Sequence, residues 1–278
     1  LSDREILGST AKCPKWAVAY KYPPEKKESK VMDIVVQVGR TGVLTPKAVL
    51  EPVRLAGTTV TNATLHNQDY ITEKDIRIGD TVVVQKAGEI IPEIVSVVRE
   101  KRPEGTTAYH LPETCPVCGA PVERDPDGAA IRCTGAECPA QLLRNLIHFA
   151  SRDAMDIDGV GPAVMRQLIE SGLVSNPADL YDLRAEQLAD LERMGTKSAQ
   201  NAVDAIAKSK ENDLWRLIFA LGIRQVGAKA AKILAAHFGS MEALRRAAVE
   251  ELTQIDDVGA VTADYIIRWM SSDQAVDL

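Results

Sequence analysis

Hydrophobic and polar positions alternate between residues 33 and 100, whereas from residue 141 onward apolar residues recur at helical spacing, so the two halves of the chain follow different periods. In the first half, DIVVQV, AVLEPVRLAG, DTVVVQKAG and EIIPEIVSVV are parted by turn signals, which predicts an all-β unit of short strands. Its roughly 70 residues are too few for a sandwich and suit a five-stranded OB-type barrel. In the second half, QLLRNLIHF, AVMRQLIESGL, DLWRLIFALGI and KAAKILAAHF predict an almost wholly helical domain. The Pro- and Gly-bearing stretch KRPEGTTAYHLPET connects the barrel to a cysteine cluster ahead of the helices. The expected class is therefore α+β and multidomain.

The helical half also repeats. A hydrophobic residue followed by glycine and a helix start recurs at Val160-Gly161, Met194-Gly195, Val226-Gly227 and Val258-Gly259, the glycines lying 34, 32 and 32 residues apart. A helix that ends in a tight hairpin and restarts at once points the free N–H groups of the second helix outward. With the helix dipole added, such a nest grips a backbone phosphate without reading sequence. Asp158-Gly159-Val160-Gly161 has the helix-hairpin-helix pattern most fully, Lys197 and Lys229 add a cation beside Gly195 and Gly227, and Asp257-Val258-Gly259 is the weakest copy. A single such glycine reads equally well as a helix C-cap. Four in register point to a multivalent grip on duplex DNA, with one copy allowed a purely structural role.

Cys115-Pro-Val-Cys118, fourteen residues, then Cys133-Thr-Gly-Ala-Glu-Cys138 set two close thiol pairs across a loop, the spacing of a tetrahedral Zn²⁺ site. Cys115, Cys118, Cys133 and Cys138 as four thiolates leave no open position for water or substrate, so the metal is expected to be structural. Cys13, alone before Pro14, reads as an ordinary thiol.

Charge complicates the DNA reading, because the chain carries a net −6 and its last segment, residues 151–278, carries all of that. Phosphate binding there must lean on backbone N–H groups and a few placed cations. No stretch approaches the roughly 20 apolar residues that cross a bilayer, and LSDREILGST lacks the regions of a signal peptide. A cytoplasmic monomer with no membrane partner is expected. Near the start, Lys15 and Lys21 flank an apolar stretch in PKWAVAYKYP and would share a face of an extended strand. They read either as solvated lysines on a strand edge or as point charges for a nucleotide phosphate.

In this order the pieces resemble the bacterial NAD⁺-dependent DNA ligases over essentially the whole chain. WAVAYKYPP resembles that family's last nucleotidyltransferase motif, and QVGRTGVLTP, TNATLHN and IRIGDTVVVQKAGEIIP resemble its OB domain. CPVCG with RCTGAECPAQ resembles its zinc finger, and HFASRDAMDIDGVG with LGIRQVGAKAA its helix-hairpin-helix domain. The resemblance implies that Lys21 contacts the phosphate of the bound nucleotide and that Lys15 stands where the family usually has arginine. It implies that Arg40 and Thr41 approach DNA near the nick, and that Ile90 and Ile91 lie in the minor groove, where an apolar wedge favours an A-like geometry.

It further implies a parent enzyme that seals nicks in double-stranded DNA in three steps: a lysine takes AMP from NAD⁺, AMP moves to the DNA 5′-phosphate, and the 3′-hydroxyl displaces it, with Mg²⁺ assisting. The nucleophile belongs to a Lys-x-Asp-Gly motif. Here the Asp-Gly pairs are Asp127-Gly128 and Asp158-Gly159, and the residues two before those aspartates are Asp125 and Asp156. The chain is therefore expected to be a segment with no catalytic lysine and no BRCT domain, inactive in self-adenylation. The expected divisions are an adenylation-domain tail at 1–30, an OB-fold at 31–106, a four-cysteine zinc finger at 107–142 and four helix-hairpin-helix repeats at 143–278. The rival expectation is a non-enzymatic DNA-structure binder that joins an OB barrel to helix-hairpin-helix units.

Overall fold

The computed structural model of the chain describes residues 2–10, 13–20, 22–88, 90–126, 128–135, 137–272 and 275. They form two compact units, residues 1–36 with 46–111 and residues 37–45 with 112–278.

A short helix α1 (Ser2–Leu7) precedes the strands β1 (Lys26–Val38), β2 (Leu44–Leu55) and β3 (Thr58–Thr64), helix α2 (Gln68–Lys74), and strands β4 (Thr81–Ala87) and β5 (Ile91–Val97). The five strands close into a barrel in the order β1-β2-β3-β5-β4. Closure follows from the alternation: β2 buries Leu44, Pro46, Ala48 and Leu50 in strict period two until a bulge between Val49 and Val53 shifts the register. The inward positions Val31, Leu50, Leu55, Val82, Val84 and Ile94 meet Ile71 of α2 in one core. Asn67 caps α2 by accepting from the Tyr70 N–H, and Asp75 ends it in the left-handed region at φ 50. Arg77 and Arg102 both bind the Asp75 carboxylate, and their hydrogen bonds hold its pKa down at about 2. Arg102 also reaches the wholly buried Asp80, so the chain just past the last strand is stapled to the α2 turn.

The second unit begins with a two-stranded hairpin, β6 (Val122–Arg124) and β7 (Ile131–Cys133), followed by α3 (Pro139–Ala150), α4 (Pro162–Glu170), α5 (Ala185–Ala189), α6 (Thr196–Ser209), α7 (Leu214–Ala220), α8 (Ala228–Phe238), α9 (Met241–Arg246), α10 (Val249–Leu252) and α11 (Ala260–Met270). These helices bury two cores. One runs from Leu146 and Phe149 through Met165 and Leu168 to Ile206, and the other from Ile218 through Leu234 to Ile266. None of the described helices is long and apolar enough to cross a membrane.

The barrel, the cysteine cluster and the helical second half are those the patterning predicts, but the first half is not all-β: α2 stands between β3 and β4, where Ile71 joins the barrel core. The strand expected around Lys15 is not formed. Lys15 sits in a turn, and residues 17–20 and 22–25 have no ladder partner among the described residues; an unpaired strand is not stable in water. Val18, Tyr20 and Tyr22 stand 95%, 81% and 80% exposed there.

Candidate nucleic-acid interface and zinc centre

Each of the four repeated glycines is the residue on which a second helix starts: Gly161 for α4, Gly195 for α6, Gly227 for α8 and Gly259 for α11. Their φ values of −68, −85, −86 and −81 are ordinary extended backbone, so none is a left-handed C-cap. A Cβ placed on any of the four would meet nothing within 4 Å. Neither backbone conformation nor internal packing asks for glycine at these positions. What glycine leaves is clear space before the first-turn amides, and no side chain caps any of the four helices. Pro162 removes one donor from the first hairpin.

The surrounding residues hold each hairpin to one geometry. Two before the cap, Gly159, Arg193, Gln225 and Asp257 take φ of 86, 63, 66 and 66. One before it, Val160, Met194, Val226 and Val258 are buried, and four after it Met165, Ala199, Ala231 and Ala263 are wholly buried, each N–H donating to the cap carbonyl at 2.9 Å. Gly159 differs from the caps: besides its positive φ, its Cβ would lie 3.2 Å from Ala202 Cβ, so the fold itself requires glycine there. Exposed Lys197 and Lys229 stand two residues into α6 and α8, and in α11 the matching place is Val261. The third hairpin, with Arg224 and Lys229, is the most cationic. The fourth, with Asp256 and Asp257, is acidic, and Asp257 Oδ2 accepts from Lys229 Nζ at 2.6 Å.

The four sulfur atoms of Cys115, Cys118, Cys133 and Cys138 lie within 4.8 Å of one another, with Cys115 to Cys138 at 3.9 Å and Cys118 to Cys133 at 3.4 Å. Tetrahedral thiolates about 2.3 Å from zinc are about 3.8 Å apart, so the cluster fits the ion. Without a cation beside them, burial pushes the Cys133 thiol up to about 12. At Cys115 burial is outweighed by the N–H groups of Cys118 and Val117, which bring the thiol down to about 7. Cys138 is the N-cap of α3, and burial raises its thiol too, outweighing the N–H groups of Gln141 and Ala140 in the first turn. Gly135 donates its N–H to Cys133 Sγ at 3.3 Å, and a Cβ on it would approach Cys118 Sγ and Ala120 Cβ to 3.0 Å, so glycine eases the close passage of the chain over the sulfurs. The structural Zn²⁺ expected from the cysteine spacing therefore has a built site.

Arg40 and Thr41 lie in the loop between β1 and β2. Arg40 Nη1 donates to the Gly222 carbonyl at 2.6 Å, and Arg132 Nη1 donates to Thr41 Oγ1 at 2.8 Å. The Cys133 N–H donates to the Gly42 carbonyl at 2.9 Å. Ile90 and Ile91, at the β4–β5 turn, are 79% and 56% exposed, an apolar pair that the barrel core does not use. Lys15 is exposed, and Lys21 lies outside the described residues.

Sequence reasoning singled out no ion pair in the second unit. Asp125 accepts from Arg132 Nε at 2.8 Å and from Arg224 Nη2 at 2.7 Å, across 99 residues of chain in the latter case. No spacing rule connects such residues. The one available signal was an arginine directly before a ligand cysteine.

Comparison with known proteins agrees with this geometry segment by segment. Residues 28–106 match the family model of the NAD-dependent DNA ligase OB-fold domain, and residues 114–140 that of the NAD-dependent DNA ligase C4 zinc finger domain. Residues 151–208 match a SAM-like helix-hairpin-helix tandem and residues 216–278 a helix-hairpin-helix motif. Among curated relatives, the DNA ligase of Thermoanaerobacter sp. (strain X514) is 56% identical over 278 residues, covering 100% of this chain and 42% of the relative. That of Pelotomaculum thermopropionicum is 60% identical over 274 residues, 99% of this chain and 40% of the relative, and that of Clostridioides difficile (strain 630) is 50% identical over 278 residues, 100% and 41%. The chain thus spans about two fifths of the length of the curated relatives it matches.

Proposed function

We propose that the chain, whose residues 28–106 and 114–140 match the OB-fold and C4 zinc-finger models of NAD-dependent DNA ligases, is the part of such an enzyme that grips duplex DNA around the break to be joined. The parent reaction is formation of a phosphodiester bond between a 3′-hydroxyl and a 5′-phosphate of nicked double-stranded DNA, driven by AMP transfer from NAD⁺ with Mg²⁺. The residues of this chain bind and orient the duplex; they supply no adenylated lysine. Zinc, held by Cys115, Cys118, Cys133 and Cys138, keeps the β6–β7 hairpin folded and takes no part in chemistry. Lys21 and Lys15 serve the nucleotide phosphate. Arg40 and Thr41 serve the duplex, with Ile90 and Ile91 as its apolar wedge. The divisions at 1–30, 31–106, 107–142 and 143–278, the monomeric state and the cytoplasmic address belong to the same reading.

The observation that carries the reading is the clear space before Gly161, Gly195, Gly227 and Gly259. Glycine there is unexplained by folding and explained by a phosphate lying against the amides, which is how an acidic domain holds a polyanion. Fluorescence anisotropy with nicked duplex tests it: Gly195→Val and Gly227→Val should each weaken binding by about tenfold, or about 1.4 kcal/mol, in a folded protein. Unchanged affinity would sink the reading, and preference for a four-way junction over nicked duplex would favour the rival non-enzymatic binder. Labelled NAD⁺ should leave no covalent AMP on the chain.

A further inference from the structure

Asp125 follows β6, and its carboxylate gathers three parts of the second unit. Both its oxygens accept from Arg132 Nε, at 2.8 and 2.9 Å, and Oδ2 also accepts from Arg224 Nη2 at 2.7 Å. Arg132 is the residue before the ligand Cys133 and passes the contact on to Thr41. Arg224 is three residues before the cap Gly227, and its guanidinium lies 4.8 Å from the ring centre of Tyr265 in α11. The side chains are largely withdrawn from water, at 19% exposure for Asp125, 20% for Arg132 and 32% for Arg224, so the charges hold one another more firmly than a surface pair.

The place of Arg224 in its hairpin gives this network a consequence. At the same position the other hairpins carry Asp158, Glu192 and Asp256, none of which could answer a carboxylate. Immediately after Arg224 the chain enters the left-handed turn at Gln225, which fixes where the Gly227 amides and Lys229 point. Anchoring the residue before that turn anchors the direction of the most cationic hairpin.

We infer that Asp125 is a positioning residue for DNA binding: the zinc hairpin, through the Asp125 carboxylate and Arg224, aims the third helix-hairpin-helix element at a duplex phosphate. This rests on the reading that the hairpins grip DNA. In that arrangement Arg224 is occupied by Asp125 and is not itself a phosphate contact, while Lys229 and the amides after Gly227 are.

The test uses the zinc-loaded chain and a fluorescent nicked duplex titrated over a range of salt. Asp125→Asn should weaken binding by about tenfold and lower the slope of log affinity against log salt by about one, as loss of one phosphate contact does, with zinc content unchanged. Arg224→Met, which leaves the Asp125–Arg132 contact intact, should do the same. The double variant should be no weaker than either single one, because both break a single link. Unchanged affinity and slope in Asp125→Asn, tighter binding from a freed Arg224, or additive losses would each overturn the inference. A Gly227→Val control separates the two levels: if it too binds normally, the hairpin reading falls with it; if it binds weakly while Asp125→Asn does not, only the positioning role is lost.

Discussion

Lys229 Nζ lies 2.6 Å from Asp257 Oδ2, so the cation of the third hairpin is held by the carboxylate of the fourth, with 80% and 45% of the two side chains exposed. Asp257 raises the Lys229 pKa above its ordinary value, and an exposed pair of this kind adds little to stability. On the proposed DNA grip, a phosphate arriving at Gly227 would compete with Asp257 for the ammonium and meet its like charge. Asp257→Asn is therefore expected to bind nicked duplex severalfold more tightly, by roughly the tenfold span of one good contact at most, without a measurable change in melting temperature. Asparagine tolerates the φ of 66 at this site. Weaker binding in a salt titration would contradict the competition.

Gly159 and Gly161 are two residues apart, yet only the first should respond to alanine. At Gly159 the methyl meets Ala202 and the backbone is left-handed, so Gly159→Ala is expected to cost about 1–3 kcal/mol in chemical denaturation. At Gly161 the methyl meets nothing, and Gly161→Ala should leave the unfolding midpoint unchanged. Equal destabilisation at both positions would remove the argument from open space.

The pH dependence of the barrel is expected to pass through Asp75. Its native pKa of about 2 lies below the unfolded value of about 3.9, so its contribution is complete above that unfolded value and disappears as pH falls through about 2. With the side chain 29% exposed, solvent screening brings the contribution to about 1 kcal/mol. Asp75→Asn should lower the melting temperature at neutral pH and match the parent protein in strong acid. A difference that persists unchanged at the acid end would show another cause.

Removal of zinc by a chelator should unfold the β6–β7 hairpin while the barrel keeps its own core. Only three residues in each strand and few buried side chains hold that hairpin apart from the four sulfurs. Amide hydrogen exchange should rise across residues 114–138 and stay unchanged across Val82–Ile94. Uniform loss of protection would mean that the barrel also depends on the metal.

How much of this could be read from the chain alone followed the range of each interaction. Period-two alternation marked the barrel, because a half-buried strand repeats within a few residues. The Cys115–Cys138 cluster and the 32- to 34-residue glycine spacing were legible because metal geometry and helix starts are local. Asp125, Arg132 and Arg224 were not, since their meeting depends on how the helices pack. The strand expected at Lys15 failed for a related reason: an apolar stretch suggests a strand, but only a partner's hydrogen bonds make one.

The peptide N–H of Cys133, a zinc ligand, is bonded to the carbonyl of Gly42, two residues from Arg40. Metal occupancy and the conformation of the Arg40-bearing loop are thereby linked. Loss of the metal would therefore loosen the tether at Gly42 along with the finger, and the disturbance would reach the turn that carries Arg40.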